Sequence, residues 1–306
     1  MVASKPDSGG ASEAVRRAFE HACLTEIESL KPGNVHMFSG GHGMSAEDFA
    51  ASARAAGAVI AKPGLGVGGR IEAAVEATWA AVSCNTNLGI VLLCAPLIEA
   101  AMTAGPRRDL RARLNAVLDG LTRDDAELAF TAIRRANPAG LGESARHDVR
   151  APARGTLLEA MREAAPRDLI ARQYATGFAD VFAIGVPRIA DTMKRLGRDP
   201  AARPWAATAA HLAFMAAFPD THIVRKHGAK AAEDVRIDAA RLESAFRSCA
   251  HPASMFDELL AFDKALKARG LNPGTSADLT VASLLAADLP DIFRGQTASR
   301  GPGRLD

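Results

Sequence analysis

Aromatic residues make up only 5% of this 306-residue chain, with one tyrosine and two tryptophans, and β-branched residues rarely alternate with polar ones over the length of a strand. Both shortages argue for helices and against a sheet. Charge of one sign is lacking too: 37 basic residues face 35 acidic ones, for a net +2. No global field therefore favours nucleic acid or an anionic membrane, and an anionic ligand must be held locally. The four cysteines, Cys23, Cys84, Cys94 and Cys249, include no CxxC pair and lie in apolar surroundings. They read as buried thiols of a reducing cytoplasm, not as a disulfide framework or a zinc site. The first ten residues carry no apolar run, so they do not read as a signal peptide. The stretch Ile90 to Ala104 is broken by Pro96 and Glu99 and falls short of the ~20 residues that cross a bilayer. No internal repeat is found.

What is present is a globular balance of 48% hydrophobic and 24% charged residues, in a chain long enough to bury about 75% of its unfolded surface. Val15, Phe19, Cys23, Ile27 and Leu30 recur at helical spacing, as do Ile71, Val75, Trp79 and Val82. The same pattern joins Leu158, Met161 and Ala165, then Tyr174, Phe178 and Val181, then Phe256, Leu259, Leu260 and Leu266, with Gly270 as a stop. The charged stretch Arg107 to Arg123 reads as a peripheral helix. Gly and Pro clusters mark loops at Lys31 to Gly43, Lys62 to Gly69, Asn137 to Pro152 and Leu271 to Gly274. These signs predict an all-α, compact multi-helix bundle with one domain over residues 11–294, a frayed segment over 1–10 and a flexible tail over 295–306.

Five polar fragments interrupt this apolar pattern, and polar residues embedded there need a partner, a water or a ligand. The first is Lys31-Pro32-Gly33-Asn34-Val35-His36, after a helix carrying Glu26. Pro32 ends the helix, Gly33 lets backbone approach a ligand and Lys31 offers a charge for phosphate, though a helix stop with a solvated lysine is the plainer alternative. The second, Gly64 to Gly69, spells GxGxxG but lacks a preceding strand and an acidic residue about 20 positions on, so a dinucleotide site is rejected. It remains a loop leading into a helix that starts near Arg70. The third, Asn85-Thr86-Asn87-Leu88-Gly89, reads as a binding break between apolar runs, with Glu76 facing the same space or solvent.

The fourth fragment is Asp220-Thr221-His222-Ile223-Val224-Arg225-Lys226-His227-Gly228. Asp220 is either an N-cap or a carboxylate for Mg²⁺ or a sugar hydroxyl, with Arg225 or Lys226 on phosphate. His222 and His227 are five apart, one too many for a metal pair on one helix face. The fifth, Asn272-Pro273-Gly274-Thr275-Ser276-Ala277-Asp278-Leu279, has the form of a helix start.

As an ordered set, these fragments resemble the triphosphoribosyl-dephospho-CoA synthase family, which carries Lys-Pro-Gly, Asn-Thr-His-Lys-Gly, Gly-Asp-Thr-Asn and Ser-Pro-Gly-Gly-Ser-Ala-Asp-Leu in this order. The matching residues are Lys31-Pro32-Gly33, Asn85-Thr86 with Gly89, Asp220-Thr221, and Pro273-Gly274 with Ser276-Ala277-Asp278-Leu279. Asn87-Leu88 replaces the family's His-Lys, Asn34-Val35-His36 its Leu-Val-Asp, and His42-Gly43-Met44-Ser45 its His-x-Asp-Met-Asp.

The resemblance implies a pentosyltransferase in which a ribose hydroxyl of dephospho-CoA attacks the anomeric carbon of ATP and releases adenine. It implies that Asp220 and Asp278 hold Mg²⁺ or activate the hydroxyl, with Glu26 and Glu76 as further metal ligands. Lys31, Lys226 and Arg225 would bind phosphates. Asn85, Asn87 and Thr86 would orient ribose or adenine, with Gly33, Asn34, His36, Thr221 and Ser276 completing the site. Three rivals stay open: phosphoribosyl transfer to the sugar alcohol of a tetrahydromethanopterin-type carrier, a non-enzymatic helical scaffold, and N-ribosyl hydrolysis. The expected partners are small molecules, with no nucleic acid and no membrane, and a homo-oligomer is compatible with the sequence.

Overall fold

In the computed structural model, described for residues 8–103, 109–138 and 147–298, the chain is 75% helical, with 14 helices and no strand among the described residues. The all-α expectation holds. The helices are α1 (Ser8–Glu28), α2 (Ala46–Ile60), α3 (Gly66–Val82), α4 (Leu88–Met102), α5 (Leu110–Asp119), α6 (Arg123–Ala136), α7 (Leu157–Ala164) and α8 (Leu169–Thr176). A π-helical turn, Val181–Gly185, leads into α9 (Val186–Leu196), followed by α10 (Ala202–Ala217), α11 (Thr221–His227), α12 (Ala229–Ser248), α13 (Phe256–Ala268) and α14 (Gly274–Ala298). Among the described residues no helix is long and apolar enough to cross a membrane.

Two helices run through the centre, and their sequences say why. Almost every residue of α4 is apolar, so it has no face to give to water, and Ile90 to Ile98 are all buried. In α14 the residues Leu279, Val281, Ala282, Leu284, Leu285, Ala286 and Leu289 are buried on several faces. The two helices pack together, and α1, α10 and the π turn close around α14. Alanines such as Ala206, Ala207 and Ala210 on α10 let helix axes approach closely. Two smaller apolar clusters, one around Leu212, Phe246 and Leu259 and the other around Met215, Ile223 and Leu266, fix α11, α12 and α13.

Several boundaries differ from the sequence expectation. Helix α1 already begins at Ser8, inside the segment expected to fray, and residues 1–7 lie outside the described ones. At the other end α14 continues to Ala298, into the expected tail, and residues 299–306 are again outside. Helix α3 begins at Gly66, not near Arg70, because its glycines serve helix packing: a Cβ on Gly68 would collide with the backbone of Asp125 on α6, and the Gly68 N–H donates to Asp125 Oδ1 at 2.8 Å. The charged stretch around α5 is amphipathic, with Leu110, Leu114 and Leu118 buried against the core. The pattern Tyr174, Phe178, Val181 spans two elements, since Gly177 and Phe178 are left-handed and break the helix between them.

Candidate active site

Four of the five polar fragments meet where the first turns of α4, α11 and α14 face the last turn of α1, while Gly64 to Gly69 does not line the site and packs against α6. There a cavity of about 590 Å³ opens, and the sides of α6, α7 and α8 extend it. Its lining is mixed: Leu92, Phe130, Ile133, Leu157, Met161 and Ile170 give apolar wall, and Asn34, Asn85, Thr86, Asn137, His147, Asp148, His222, Arg225, Lys226 and Asp278 give polar wall.

Asp278 lies in the second turn of α14. Its carboxyl is open to the cavity, is otherwise enclosed by protein, and has no hydrogen bond to any described residue. It rests on Gly89 in the first turn of α4, where a Cβ would overlap the carboxylate. Gly89 thus admits the acid, and the adjoining positive end of α4 favours its charge. Burial and, behind it, the like charges of Asp220 and Glu26 work the other way and hold Asp278 well above the usual carboxylate range.

Asp220 has a different fate. Its Oδ1 caps α11, accepting from the His222 N–H at 2.9 Å and the Ile223 N–H at 3.3 Å. Its Oδ2 accepts from the Ser276 N–H at 2.7 Å and the Ser276 hydroxyl at 2.8 Å. The residue is 2% exposed and ties the N-termini of α11 and α14 together. Thr221 adds to the joint, sharing a hydroxyl contact of 3.1 Å with Thr275 and accepting from the Leu169 N–H. The N-cap alternative therefore describes Asp220, while Ser276, inside the first turn of α14, serves as its donor, and neither lines the cavity.

Lys31 is likewise a structural residue. It is fully buried, pairs with Glu26, and donates to Asn34 Oδ1 at 3.1 Å and the Val35 carbonyl at 2.8 Å. All three ammonium protons are taken, so the expected phosphate contact is not available. Burial pulls this lysine down from its ordinary value and Glu26 opposes the shift. Gly33, with φ of +84°, lets the turn press against Pro273 and Leu266, and its N–H donates to Asp263 Oδ1 at 2.9 Å, so it too packs against protein and not against ligand. His36 is buried 3.3 Å from the same Asp263. From this fragment Asn34 reaches the cavity, held by Asn272 at 2.8 Å.

From the third fragment Asn85 and Thr86 line the cavity; Thr86 donates to Ser52 Oγ at 2.6 Å. Asn87 turns inward and donates to Thr78 at 3.0 Å. Glu76 faces outward on α3, paired with Arg135 at 3.0 Å, and takes no part in the site. Arg225 and Lys226 stand at the rim, the former bound to Asp168 at 2.7 Å. Sequence reasoning missed the apolar lining, Asp168, and His222 as a cavity residue. His222 was legible only through Gly274, where any Cβ would overlap its Nδ1.

The four carboxylates expected to bind Mg²⁺ do not form a donor set. Asp220 has both oxygens engaged, Glu76 is on the surface, Glu26 is tied to Lys31, and no group of three His, Cys, Asp or Glu residues suited to a metal occurs among the described residues.

A family model described as ATP:dephospho-CoA triphosphoribosyl transferase matches residues 12–297. The chain belongs to that family. Its reaction class is thereby transfer of a triphosphoribosyl group from ATP to dephospho-CoA, and the scaffold and pterin-carrier alternatives gain no support. A solved structure from Archaeoglobus fulgidus, described as a candidate triphosphoribosyl-dephospho-CoA synthase, shares the fold with a TM-score of 0.56 and 24% identity, over 79% of this chain and 96% of that one. A comparison with curated proteins gives no match.

Proposed function

We propose that this cavity is where the triphosphoribosyltransferase reaction takes place, and that Asp278 protonates the departing adenine. The observation that carries the reading is the unpartnered carboxyl of Asp278 on Gly89, in the wall of a cavity with both apolar and polar lining. Cleaving a C–N glycosidic bond leaves negative charge on the purine, and a neutral carboxylic acid beside it supplies the missing proton. The displacement of Asp278 above the usual carboxylate range suits it to keep that proton.

The apolar wall given by Phe130, Leu157 and Met161 suits a flat or extended apolar group. Asn34, Asn85 and Thr86 offer donors and acceptors for sugar hydroxyls, and Arg225 with Lys226 offer charge for the triphosphate at the open rim. Leu88, which stands in place of a lysine in the family pattern, lines the same space, so the rim cations take over its electrostatic role. The carboxylates here do not fit a protein-held Mg²⁺, and no step is assigned to one.

Incubation with ATP and dephospho-CoA tests the reading. We expect free adenine in step with an acceptor whose mass grows by one triphosphoribosyl unit. Release of ADP, AMP or phosphate in place of adenine would overturn it.

A further inference from the structure

The proton on the acceptor hydroxyl needs a destination, and the carboxyl groups on the cavity wall narrow the choice. Besides Asp278 these are Glu26, Asp148 and Asp168. Asp168 caps α8 through one oxygen and holds Arg225 with the other. Asp148 accepts from the Arg150 N–H at 2.8 Å, and the Arg150 guanidinium lies 3.9 Å from its second oxygen. His222 stands where the family pattern has asparagine, so the shared reaction does not depend on an imidazole there.

Glu26 differs from the other two. It is 1% exposed, its Oε1 is bound by the Lys31 ammonium, and its Oε2 has no hydrogen-bond partner among the described residues. A buried carboxylate oxygen without a donor is costly, and what it lacks is an N–H or O–H from a molecule that enters the cavity. Lys31 in turn is fixed by Asn34 and the Val35 carbonyl, and Asn34 by Asn272. The free oxygen is thus held from behind by contacts that an entering ligand need not disturb. The lysine of the shared Lys-Pro-Gly is closed to phosphate because it serves the glutamate.

We infer that Glu26 is the general base of the transfer: its Oε2 takes the proton of the acceptor hydroxyl while Asp278 gives its proton to adenine. As the acceptor oxygen bonds to the anomeric carbon, the bond from that carbon to adenine breaks. Its electron pair leaves with the purine, which the Asp278 proton neutralises. Passage of the proton from Glu26 to the Asp278 carboxylate restores both groups, and no outside acid, base or oxidant is required. Lys31 acts as a positioning residue. The inference rests on the reading that the triphosphoribosyl transfer takes place in this cavity.

The surroundings support this division of labour. The groups that face Glu26 are Lys31 from the turn after α1, Asp278 from α14 and the Cys23 thiol one turn back on its own helix. Burial raises Glu26 and the Lys31 charge opposes the rise, so the ion pair keeps a basic carboxylate in its charged form. Asp278 has no ion pair, and burial, Asp220 and Glu26 hold it protonated, with Arg225 opposing. One buried carboxyl with a bound cation and one without are set apart as base and acid.

Glu26→Gln keeps the shape of the side chain and removes its basicity. With ATP and dephospho-CoA we expect adenine release to fall about 100-fold or more, the usual worth of a positioned base, while ATP still raises the melting temperature. Sodium azide then separates the roles, because azide attacks the anomeric carbon with no proton to lose. Given in place of dephospho-CoA, it should restore adenine release to Glu26→Gln and yield an azido triphosphoribose, which a packing defect would not allow. If the unpaired Lys31 charge prevents folding, Glu26→Gln combined with Lys31→Met carries the same comparison. Lys31→Met alone should move the acid limb of the pH profile of kcat to higher pH, since the lysine no longer opposes the rise of Glu26. With adenine released by the unaltered chain, undiminished turnover in Glu26→Gln, no azide product or an unmoved acid limb overturns the inference alone. No adenine from the unaltered chain overturns it together with the reading beneath it.

Discussion

Two aspartates 58 positions apart, Asp220 and Asp278, carry equal weight in the sequence, yet substitution should separate them cleanly. Asp220→Ala removes four hydrogen bonds, two at the start of α11 and two to Ser276. Loss of an N-cap costs about 1 kcal/mol, and leaving the Ser276 N–H and hydroxyl buried without an acceptor adds about 1–3 kcal/mol for each. Relief of the buried carboxylate's desolvation offsets part of this, leaving roughly 3 kcal/mol. An unfolding entropy of about 2.1 cal/mol/K per residue over the whole chain turns that into a fall in melting temperature of about 5 °C.

Asp278→Asn removes no protein hydrogen bond and relieves repulsion from Asp220 and Glu26, so its melting temperature should match or exceed that of the unaltered chain while adenine release falls by about 10²–10⁴-fold. The advantage should depend on pH. The raised Asp278 value means that the folded chain binds the extra proton above the ordinary 3.8, so its contribution to stability is full below 3.8 and declines as pH rises toward the folded value. The gap between Asp278→Asn and the unaltered chain should therefore widen upward from 3.8 in differential scanning calorimetry. If Asp278→Asn melts as low as Asp220→Ala, Asp278 is a structural joint and the assignment of roles fails.

Gly89→Ala would push a methyl group into the Asp278 carboxylate; adenine release should fall steeply while circular dichroism keeps the helical signal, and full activity would show that Asp278 need not sit there. Lys226→Ala should raise KM for ATP by about 10-fold, the worth of one charge-assisted contact, without moving the melting temperature, and an unchanged KM would remove it from the triphosphate site. Burial pulls His211 down to about 3 from 6.5, with the nearby Lys31 assisting. The unfolded chain then binds the extra proton in that window, so this contribution to stability is lost as pH falls from 6.5 toward 3. His211→Gln should flatten the acid side of a melting-temperature profile, and an unchanged slope would refute it.

The helices were legible because alanine-rich segments with apolar residues three and four apart have few alternatives, and the loops because Gly33 and Pro32, or Pro63 and Gly64, punctuate them. Convergence of the fragments was legible as an ordered set. What each polar residue would touch was not, because the decisive partner is distant along the chain. Asp220 is claimed by Ser276, 56 positions on, and Gly33 by Asp263, 230 positions on. Local pattern supplies the residue type and cannot supply such a partner. Lys31 and Glu26 are the harder case, since they are five residues apart and still escaped notice: a lysine after a helix reads as solvated until the fold buries it.

The glycines resolve much of this difficulty. Gly89 and Gly274 look like helix-start residues, yet each is a vacancy shaped by another motif's side chain: Gly89 receives the carboxyl of Asp278, and Gly274 receives the ring of His222. The first links the third fragment to the fifth, and the second links the fifth to the fourth. A glycine in a polar fragment is thus evidence about its neighbour in space, and here it distinguishes residues that hold the bundle from residues that face the cavity. Asp220, Lys31 and His36 sit where protein donors or acceptors surround them. Asp278 and His222 sit where a missing Cβ leaves the side chain room beside the cavity, which an evolving core without a ligand to accommodate would have closed by packing.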